Sequence, residues 1–447
     1  MDVRRQDPSV VGRLRDGRLA LVGAPLATQL TAIFLLSVLV QLLAGALLLF
    51  RPAVLSLDMD EQEYWGLAGQ ILAGAPIEVG RRTVAFPLFI AGLRKIADNL
   101  IFVQAAVAVL SATAAPLLAL VVRKLTRSPL PAVLAGIGFA LWPAQVFYAS
   151  SLYSETLALP MFLLFLLILP FRSREGVEPK WWSWVLAGAM LGITAHVRPM
   201  YQLFLPVLAI VLWLDLRRMM AAAGRFALII AGFAAVVLPW SVYVSQKLGH
   251  PVLLTANGGE TFAGGFNPQL LKTGERKMRV GNRITWYGPG KWVPVTDNGY
   301  LTASEQSLPY ARQDQLMRER AMAWVQSDPG DAAYLAWRKM SYMWGIYPFA
   351  FNGVAQAMFG NALTLLLLAL FVVALAEDPQ IRRRCARLYL LPLFVAGVGL
   401  ISWGSWRFRL PADAGMIGVV AIWISAKLAA FRQPLRPEME SSPCTMS

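Results

Sequence analysis

The chain has 447 residues, of which 57% are hydrophobic and 15% are charged, and its mean hydropathy is +0.53. A soluble domain has roughly 45–50% apolar and about 25% charged residues, so this composition excludes a soluble enzyme, a disordered protein and a fibrous protein. The apolar residues lie in long runs and not in alternating segments of about ten residues, which excludes a membrane β-barrel. The sequence therefore predicts an all-α polytopic membrane protein.

Ten apolar runs are candidate membrane spans, since a helix needs about 20 apolar residues to cross the hydrocarbon core. In chain order they are Ala24–Phe50, Asn99–Val122, Leu130–Ala149, Tyr153–Phe171, Trp181–Ala195, Tyr201–Leu214, Phe226–Val244, Val354–Ala376, Leu388–Trp403 and Ala412–Phe431. The first run is too long for the apolar core of a signal peptide, about 7–15 residues, and is interpreted as a retained span. Two further apolar stretches, Thr83–Leu93 and Trp337–Phe351, are predicted to be interfacial helices.

The formal net charge of +15 is distributed as an orientation signal. Lys and Arg cluster in both tails and in the even-numbered connections between the ten runs. Cytoplasmic loops of membrane proteins carry such an excess, so both termini are predicted to be cytoplasmic. The lipid bilayer is the expected environment, and no nucleic acid partner is expected.

This orientation divides the chain into regions. They are a cytoplasmic tail (1–23), an N-terminal membrane region (24–244) with an acidic first external loop (51–98), a large external loop (245–353), a C-terminal membrane region (354–431) and a second cytoplasmic tail (432–447). Cys385 and Cys444 both fall on the cytoplasmic side, so no external disulfide is expected. No internal repeat and no metal-binding motif is found in the sequence.

Five arginines depart from the orientation rule because they lie in or beside external connections. They are Arg81, Arg82, Arg198, Arg407 and Arg409. An arginine at this depth is unfavourable unless it is paired or reaches water. One interpretation is that each side chain snorkels to the headgroups. The other is that they converge on an anion, since a planar guanidinium binds phosphate bidentately.

Four carboxylates follow the first span, in the order Asp58, Asp60, Glu61 and Glu63. If a helix begins here, Asp60 and Tyr64 share one face at a spacing of four residues. Such a cluster is compatible with a solvated helix start, where acidic residues favour the dipole. Beside the external arginines it also has the layout for group transfer from a phosphorylated lipid, with a carboxylate base next to cations that hold a phosphate.

Glu155 and His196 lie at the outer ends of predicted spans. An ionisable residue in such a position is a functional hypothesis, and a simple interfacial location is the alternative for Glu155. His196 is expected to be a hydrogen-bonded interfacial histidine. The aromatic residues of Trp337–Tyr347 are typical of an aromatic belt.

Several short elements occur in an order that points to one family. The main ones are Asp60-Glu61-Gln62-Glu63-Tyr64, Arg82 with Phe86-Pro87-Leu88-Phe89, Ser154-Glu155-Thr156, and Arg407-Phe408-Arg409-Leu410-Pro411. With the predicted topology they resemble the GT-C-fold polytopic membrane glycosyltransferases, in particular bacterial enzymes similar to protein O-mannosyltransferases and the lipid A aminoarabinose transferase. Phe86 stands where the family has tyrosine. The large soluble C-terminal domain of some relatives has no counterpart, so the loop 245–353 is expected to be the main soluble portion.

The resemblance implies an inverting transferase in a bacterial inner membrane that uses a sugar linked to polyprenyl phosphate. It implies that Asp60 is the catalytic base and that Glu61 orients or substitutes for it. The candidates for holding the donor phosphate are Arg82, Arg198, Arg407 and Arg409. Further candidates for the site are Asp58, Tyr64, Arg81, Glu155 and His196.

Two other classes of protein fit parts of this pattern. A transporter or flippase of lipid-linked sugars also needs external arginines, but it is expected to carry ionisable residues near mid-membrane, where this chain has almost none. A non-catalytic assembly subunit built around the large loop is the second alternative. For a transferase, the acceptor is a lipid, a glycan or a protein. No cofactor is assigned, although the acidic cluster has enough carboxylates to hold a divalent metal ion.

Overall fold

The computed structural model describes most of the chain between residues 21 and 431. The described residues are 21–49, 57, 59–76, 79–149, 151–170, 178–272, 276–280, 283–287, 299–346 and 354–431. Asp58 and most of both predicted tails lie outside these ranges. Within them the architecture is helical, as the composition predicts, with one short β-hairpin.

The N-terminal half contains the loop 51–98, which is predicted to be external, and the helices at the earlier predicted spans. They are α1 (Leu26–Leu49), α2 (Met59–Leu72), α3 (Ala85–Ile96), α4 (Leu100–Ala112), α5 (Ala114–Thr126), α6 (Pro129–Ala140), α7 (Pro143–Tyr148), α8 (Glu155–Ile168), α9 (Trp181–Val197), α10 (Phe204–Leu216) and α11 (Met219–Leu248). A 3-10 turn, Pro199–Leu203, links α9 to α10.

The C-terminal half begins with the described part of the loop 245–353, which is predicted to be external, and ends with apolar helices. They are α12 (Gly258–Gly265), α13 (Gln269–Lys272), α14 (Tyr310–Ser327), α15 (Pro329–Met343), α16 (Val354–Glu377), α17 (Pro379–Arg384), α18 (Ala386–Tyr389), α19 (Leu391–Ile401) and α20 (Leu410–Phe431). Between α13 and α14, β1 (Arg276–Val280) pairs antiparallel with β2 (Arg283–Tyr287), with Arg276 opposite Tyr287. A 3-10 turn, Trp406–Arg409, precedes α20.

Five helical segments among the described residues are long and apolar enough to cross a membrane. They are Leu26–Ala46, Leu100–Thr126, Pro199–Leu216, Met219–Leu248 and Trp406–Phe431. Shorter apolar helices coincide with other predicted spans, namely Pro129–Ala140, Glu155–Ile168, Asn361–Glu377 and Ala386–Ile401. The chain is therefore a helical membrane protein, and the number of ten spans stays a prediction.

The predicted span Leu130–Ala149 is two helices, α6 and α7, and not one. Pro143 lacks a backbone N–H, and its ring disfavours a helical conformation of the preceding residue. Trp142 is accordingly extended, with φ −68° and ψ 124°. The chain changes direction there and leads into the segment that carries Glu155.

The membrane helices share one hydrophobic core, which is rich in aromatic side chains. Phe162 of α8 packs against Tyr201 and Phe204 with ring centroids 4.7 and 5.0 Å apart. Phe204 also packs against Phe394 of α19 at 5.4 Å. This cluster connects α8 and the start of α10 to the C-terminal helices.

Helices α9 and α11 approach each other closely at two glycines. A Cβ added at Gly188 would lie 1.9 Å from the backbone oxygen of Ile229, and one at Gly232 would lie 2.0 Å from that of Val185. Small residues let helix backbones come this close in membranes. The contact fixes α9, whose C-terminal end carries Arg198.

Replacing Gly188 by alanine is expected to destabilise the protein by about 1–3 kcal/mol, because the new methyl group forces two helix backbones apart. Gly224→Ala on α11 is the matched control, since a Cβ there meets no atom within 4 Å. Thermal unfolding in detergent should show a lower midpoint for Gly188→Ala only. Equal midpoints for the two variants would contradict the close contact.

The described part of the large external loop folds around α12. The Asp314 carboxylate on α14 accepts a hydrogen bond from the Glu260 backbone N–H at 2.8 Å, near the start of α12. Phe266, Leu270 and Leu335 form a small buried core below it. The polar helix of this loop is α14, Tyr310–Ser327.

Candidate active site

Helix α2 begins with acidic residues that the sequence places in the site. Asp60 and Glu61 lie in its first turn, where carboxylates stabilise the positive end of the helix dipole. Asp60, Glu63 and Tyr64 are three and four residues apart and therefore share one face. The helix thus presents two carboxylates and a phenol ring side by side.

The loop before α3 brings Arg82 to this face. Gly80 has a φ of +113°, which favours glycine, and its carbonyl accepts a hydrogen bond from the Ala256 N–H at 2.6 Å. Arg82 donates from Nη2 to Asp60 Oδ1 at 2.6 Å. It also donates from Nε to Glu63 Oε2 at 3.0 Å. One guanidinium therefore bridges the two carboxylates on this face of α2.

Glu155 and Arg198 come from the ends of two helices. Glu155 is the first residue of α8. Helix α9 ends at Val197 because Arg198 precedes Pro199, and a residue before proline avoids the helical conformation. Arg198 is extended, with φ −146° and ψ 109°. Its Nη1 lies 2.6 Å from Glu155 Oε2 and donates to Ser154 Oγ at 2.9 Å.

The 3-10 turn before α20 supplies Arg407. Its Nη2 donates to Asp60 Oδ2 at 2.7 Å, and its Nε lies 2.7 Å from Glu155 Oε1. The guanidinium carbon also lies 4.4 Å from the centre of the Tyr153 ring. Arg407 therefore joins the first external loop to the start of α8.

Six charged side chains consequently alternate in sign along one row, which we call the charge row: Glu63, Arg82, Asp60, Arg407, Glu155 and Arg198. Neighbours in the row approach to 2.6–2.8 Å. Three positive and three negative charges balance, and such pairing is what allows charges to be largely buried. The Glu155 side chain is only 5% exposed, whereas that of Asp60 is 25% exposed. The row is therefore most accessible to a ligand around Asp60.

The two arginines set the acidity of Asp60. Burial acts to raise the pKa of Asp60, but the charges and hydrogen bonds of Arg407 and Arg82 outweigh it. Together they hold the pKa well below its ordinary value of 3.8. With both arginines paired to it, Asp60 is an anion with little affinity for a proton.

This depressed pKa predicts an acid-sensitive contribution to stability. A carboxylate whose pKa is lower in the folded than in the unfolded state stabilises the fold above its unfolded-state pKa. The stabilisation is lost as the pH falls from about 4 toward the folded-state pKa. Unfolding midpoints of wild type should therefore drop over this range more steeply than those of Asp60→Asn, and parallel curves would contradict the pairing.

Glu61 and Tyr64 hold α2 against the segment before α8. Glu61 is 2% exposed, and its Oε1 accepts a hydrogen bond from the Leu152 N–H at 2.8 Å. Tyr64 donates to Ser154 Oγ at 3.3 Å, and its ring lies edge-on to Phe86. Both residues are thus placed to position Asp60, Glu61 from the adjacent position in the chain and Tyr64 from the next turn.

Arg409 and His196 contact other parts of the structure. Arg409 donates to Asp413 Oδ1 at 2.8 Å and to the Met343 carbonyl at 2.7 Å. His196 Nε2 lies at hydrogen-bond distance, 3.2 Å, from the Val236 carbonyl on α11, and its interfacial position stays a prediction. Within the described residues neither side chain pairs with the charge row, so neither has a role in the chemistry proposed below. Asp58, also a sequence candidate, lies outside the described residues.

Arg81 faces the large external loop and reveals two residues that the sequence did not single out. Arg81 Nη2 donates to Glu260 Oε1 at 3.2 Å, and Nη1 lies 3.7 Å from Glu63 Oε1. Tyr310 donates to Glu260 Oε2 at 2.5 Å. Burial and the Glu260 charge raise the pKa of Tyr310, so its hydroxyl stays a donor. Because Arg81 and Glu260 are 179 positions apart in the sequence, no local spacing could have predicted this bridge.

The carboxylates of the charge row do not form a metal-binding set as they are arranged. Within the described ranges, no group of three or more His, Cys, Asp or Glu side chains is placed to hold an ion. Oxygens of Asp60, Glu63 and Glu155 all lie against guanidinium nitrogens at 2.6–2.8 Å. The acidic cluster that suggested a divalent ion includes Asp58, which lies outside the described residues, so that ion stays a hypothesis from the sequence.

Solved structures with a similar fold are oligosaccharyltransferases of the archaeon Archaeoglobus fulgidus. One is AglB in complex with an inhibitory peptide and a dolichol-phosphate, with a TM-score of 0.52 and 15% sequence identity, covering 92% of this chain and 52% of that chain. Another is the enzyme tethered with an acceptor peptide containing the NVT sequon, with a TM-score of 0.50 and 14% identity. The match covers 91% of this chain and 50% of that chain. No protein-family model and no curated protein matches the sequence.

At these identities the likeness establishes the fold. The chain has the GT-C fold of polytopic membrane glycosyltransferases, which confirms the fold expected from the sequence resemblance. It spans about half the length of these neighbours.

Proposed function

We propose that the protein is an inverting glycosyltransferase that moves a sugar from a polyprenyl-phosphate-linked donor to an acceptor hydroxyl at the external membrane face. The charge row carries the proposal, because Asp60 lies between Arg82 and Arg407. Transfer from a lipid phosphate needs a carboxylate base beside cations for the phosphate. The fold shared with an enzyme solved with a dolichol-phosphate supports a lipid-linked donor.

The arginines of the row suit the donor phosphate. Arg82 and Arg407 each direct an Nη2 group at one oxygen of Asp60, at 2.6 and 2.7 Å. The same two donors can bond two oxygens of a phosphodiester, and planar guanidinium groups favour this geometry. Negative charge grows on the phosphate as its bond to the sugar breaks, and fixed cations stabilise that charge.

Donor binding would also activate the base. While Arg82 and Arg407 pair with Asp60, its lowered pKa prevents it from accepting a proton. When the phosphate takes over the two Nη2 donors, Asp60 loses the interactions that lower its pKa. Its proton affinity then rises beside the bound donor, where a base is needed.

The reaction is then a single displacement. The acceptor oxygen bonds to C1 of the sugar while its proton passes to Asp60. The bond between C1 and the phosphate oxygen breaks, and its electron pair goes to the phosphate. Attack from the side opposite the phosphate inverts C1. Base catalysis of this kind typically contributes about 10²–10⁴-fold to the rate.

The proposed orientation places the charge row at the periplasmic face of a bacterial inner membrane, with both termini in the cytoplasm. The excess of Lys and Arg in the even-numbered connections supports it. The prenyl chain of the donor would stay in lipid between the apolar helices. The external loop 245–353 meets the edge of the site through Glu260 and Arg81. We assign it the role of contacting the acceptor, which is a lipid, glycan or protein hydroxyl.

The test is reconstitution of the purified full chain in liposomes with a panel of labelled polyprenyl-phosphate monosaccharides. A membrane and glycan extract supplies acceptors. We expect protein-dependent transfer of label from one donor, with inversion at C1 measured by NMR. Movement of the labelled lipid across the bilayer without transfer would instead support a flippase. If the label is neither transferred nor moved across the bilayer with any donor of the panel, both the transferase and the flippase are refuted.

A further inference from the structure

An open cleft runs along helix α2 beside the charge row. It has a volume of about 290 Å³ and is lined by Glu63, Gly66, Leu67, Gln70, Arg81 and Arg82. The four residues from α2 are spaced i, i+3, i+4 and i+7, so they form one continuous face of the helix. The volume is near the small end of ligand pockets, roughly 300 Å³.

The lining combines a polar rim with a small apolar floor. Gly66 and Leu67 form the floor, and Gly66 leaves it uncovered by any side chain. Around it, Glu63 offers acceptor oxygens, Arg81 offers donors, and the exposed Gln70 amide offers both. The Gln70 side chain is exposed, so its amide can reach a ligand in the cleft.

This chemistry matches a carbohydrate ring. Each sugar hydroxyl is both a donor and an acceptor, so it can bond to carboxylate, amide and guanidinium groups together. The C–H face of a ring can lie on the floor. A prenyl chain does not suit this rim, because it would bury charged groups without giving them partners.

Arg82 connects the cleft to the reacting groups. Its Nε and Nη2 bond to Glu63 in the cleft at 3.0 and 2.8 Å, and Nη2 also bonds to Asp60 at 2.6 Å. A ring bound beside Glu63 would therefore lie one side chain away from the proposed base and phosphate position.

We propose that this cleft is a carbohydrate subsite, which takes either the sugar of the donor or a sugar ring of a glycan acceptor. The inference rests on the proposed function for its place in the reaction. The polar rim and the open floor at Gly66 carry it.

Gly66→Phe tests the cleft by filling it. A Cβ at Gly66 meets no atom within 4 Å beyond the helix itself, so the ring can extend into the cleft without displacing the fold. Gly92→Phe on α3 is the matched control, because Gly92 is exposed, helical and equally free of neighbours, and does not line the cleft. Unfolding midpoints of both variants should stay within a few degrees of wild type.

Three probes are measured with the full chain in nanodiscs: bare polyprenyl phosphate, the polyprenyl-phosphate monosaccharide panel, and a panel of methyl glycosides. Loss of two or three hydrogen bonds predicts affinity about 10-fold weaker or more in Gly66→Phe for the sugar-bearing probe. If Gly66→Phe weakens the binding of sugar-loaded lipid but not that of bare lipid or the methyl glycosides, the cleft binds the sugar of the donor. Weaker binding of methyl glycosides only supports a glycan acceptor.

The subsite is overturned if Gly66→Phe binds every sugar-bearing probe as tightly as the wild type does. The subsite is also overturned if the wild type binds the sugar-loaded lipids no more tightly than bare lipid and does not bind any methyl glycoside. Failure of the proposed function gives a different pattern, in which the wild type does not bind bare polyprenyl phosphate. The subsite and the transfer reaction are thus tested separately.

Discussion

Replacing Asp60 by asparagine is expected to reduce sugar transfer by at least about 10²–10⁴-fold, the typical contribution of a general base. Asparagine has nearly the same shape, and its one side-chain oxygen can still accept a hydrogen bond from Arg82 or Arg407. The Asp60 side chain is 25% exposed, so water can solvate the other guanidinium, and the chain should fold and insert. It cannot take the proton of the acceptor. Single-turnover transfer in liposomes, with donor and acceptor saturating, measures the loss.

The same variant should bind bare polyprenyl phosphate at least as tightly as wild type. In wild type the Asp60 anion competes with the phosphate for Arg82 and Arg407, and in Asp60→Asn that competing charge is gone. A purely structural role for Asp60 predicts the opposite, since disturbing the charge row would weaken phosphate binding. The binding measurement therefore separates the base from a scaffold residue.

Asp98→Asn is the control for this experiment. Asp98 belongs to the same external loop and also pairs with an arginine, Arg94, at 2.6 Å, but its side chain is 60% exposed and lies outside the charge row. Its replacement should leave transfer near the wild-type rate. If Asp60→Asn transfers sugar as fast as Asp98→Asn does, Asp60 is not the base.

Much of the helical fold follows from the sequence because hydrophobic run length is set by the membrane. Apolar helices occur at the predicted spans, but their continuity depends on single residues. Pro143 divides one predicted span into α6 and α7, whereas Pro160 and Pro239 lie inside α8 and α11. Whether a proline breaks a membrane helix depends on which neighbours satisfy the backbone groups it frees, and that information is not local.

The site is predictable to a similar, partial extent. Departure from the orientation rule singles out the arginines. The i, i+3 spacing from Asp60 could also have identified Glu63 as a site candidate on the same helix face. Arg407 and Arg409 cannot be distinguished in this way, because a tight turn directs one to Asp60 and the other to Asp413. Glu260 and Tyr310 reach the site only through tertiary packing of the large loop.

Arg407 is the residue whose loss should weaken donor binding most, because it lies near the centre of the charge row and bridges Asp60 and Glu155. Arg407→Gln by itself would leave Glu155 with one partner fewer in a buried position, which is destabilising. The double variant Arg407→Gln with Glu155→Gln removes one charge of each sign, so the charge row stays neutral. Folding should then be retained, and the effect on binding can be measured separately from stability.

Affinity of this double variant for bare polyprenyl phosphate is expected to fall by about 1.5–3 kcal/mol, the value of a hydrogen bond to a charged group, or about 10- to 100-fold in Kd. Arg320→Gln is the control. Arg320 belongs to the loop 245–353, pairs with Glu305 at 2.6 Å and lies outside the charge row, so its replacement should leave Kd unchanged. Titration in nanodiscs at fixed ionic strength gives both values, because ion pairing with a phosphate weakens with salt. A folded double variant with the Kd of Arg320→Gln would remove Arg407 from the phosphate site and leave Arg82 and Arg198 as the cations that hold it.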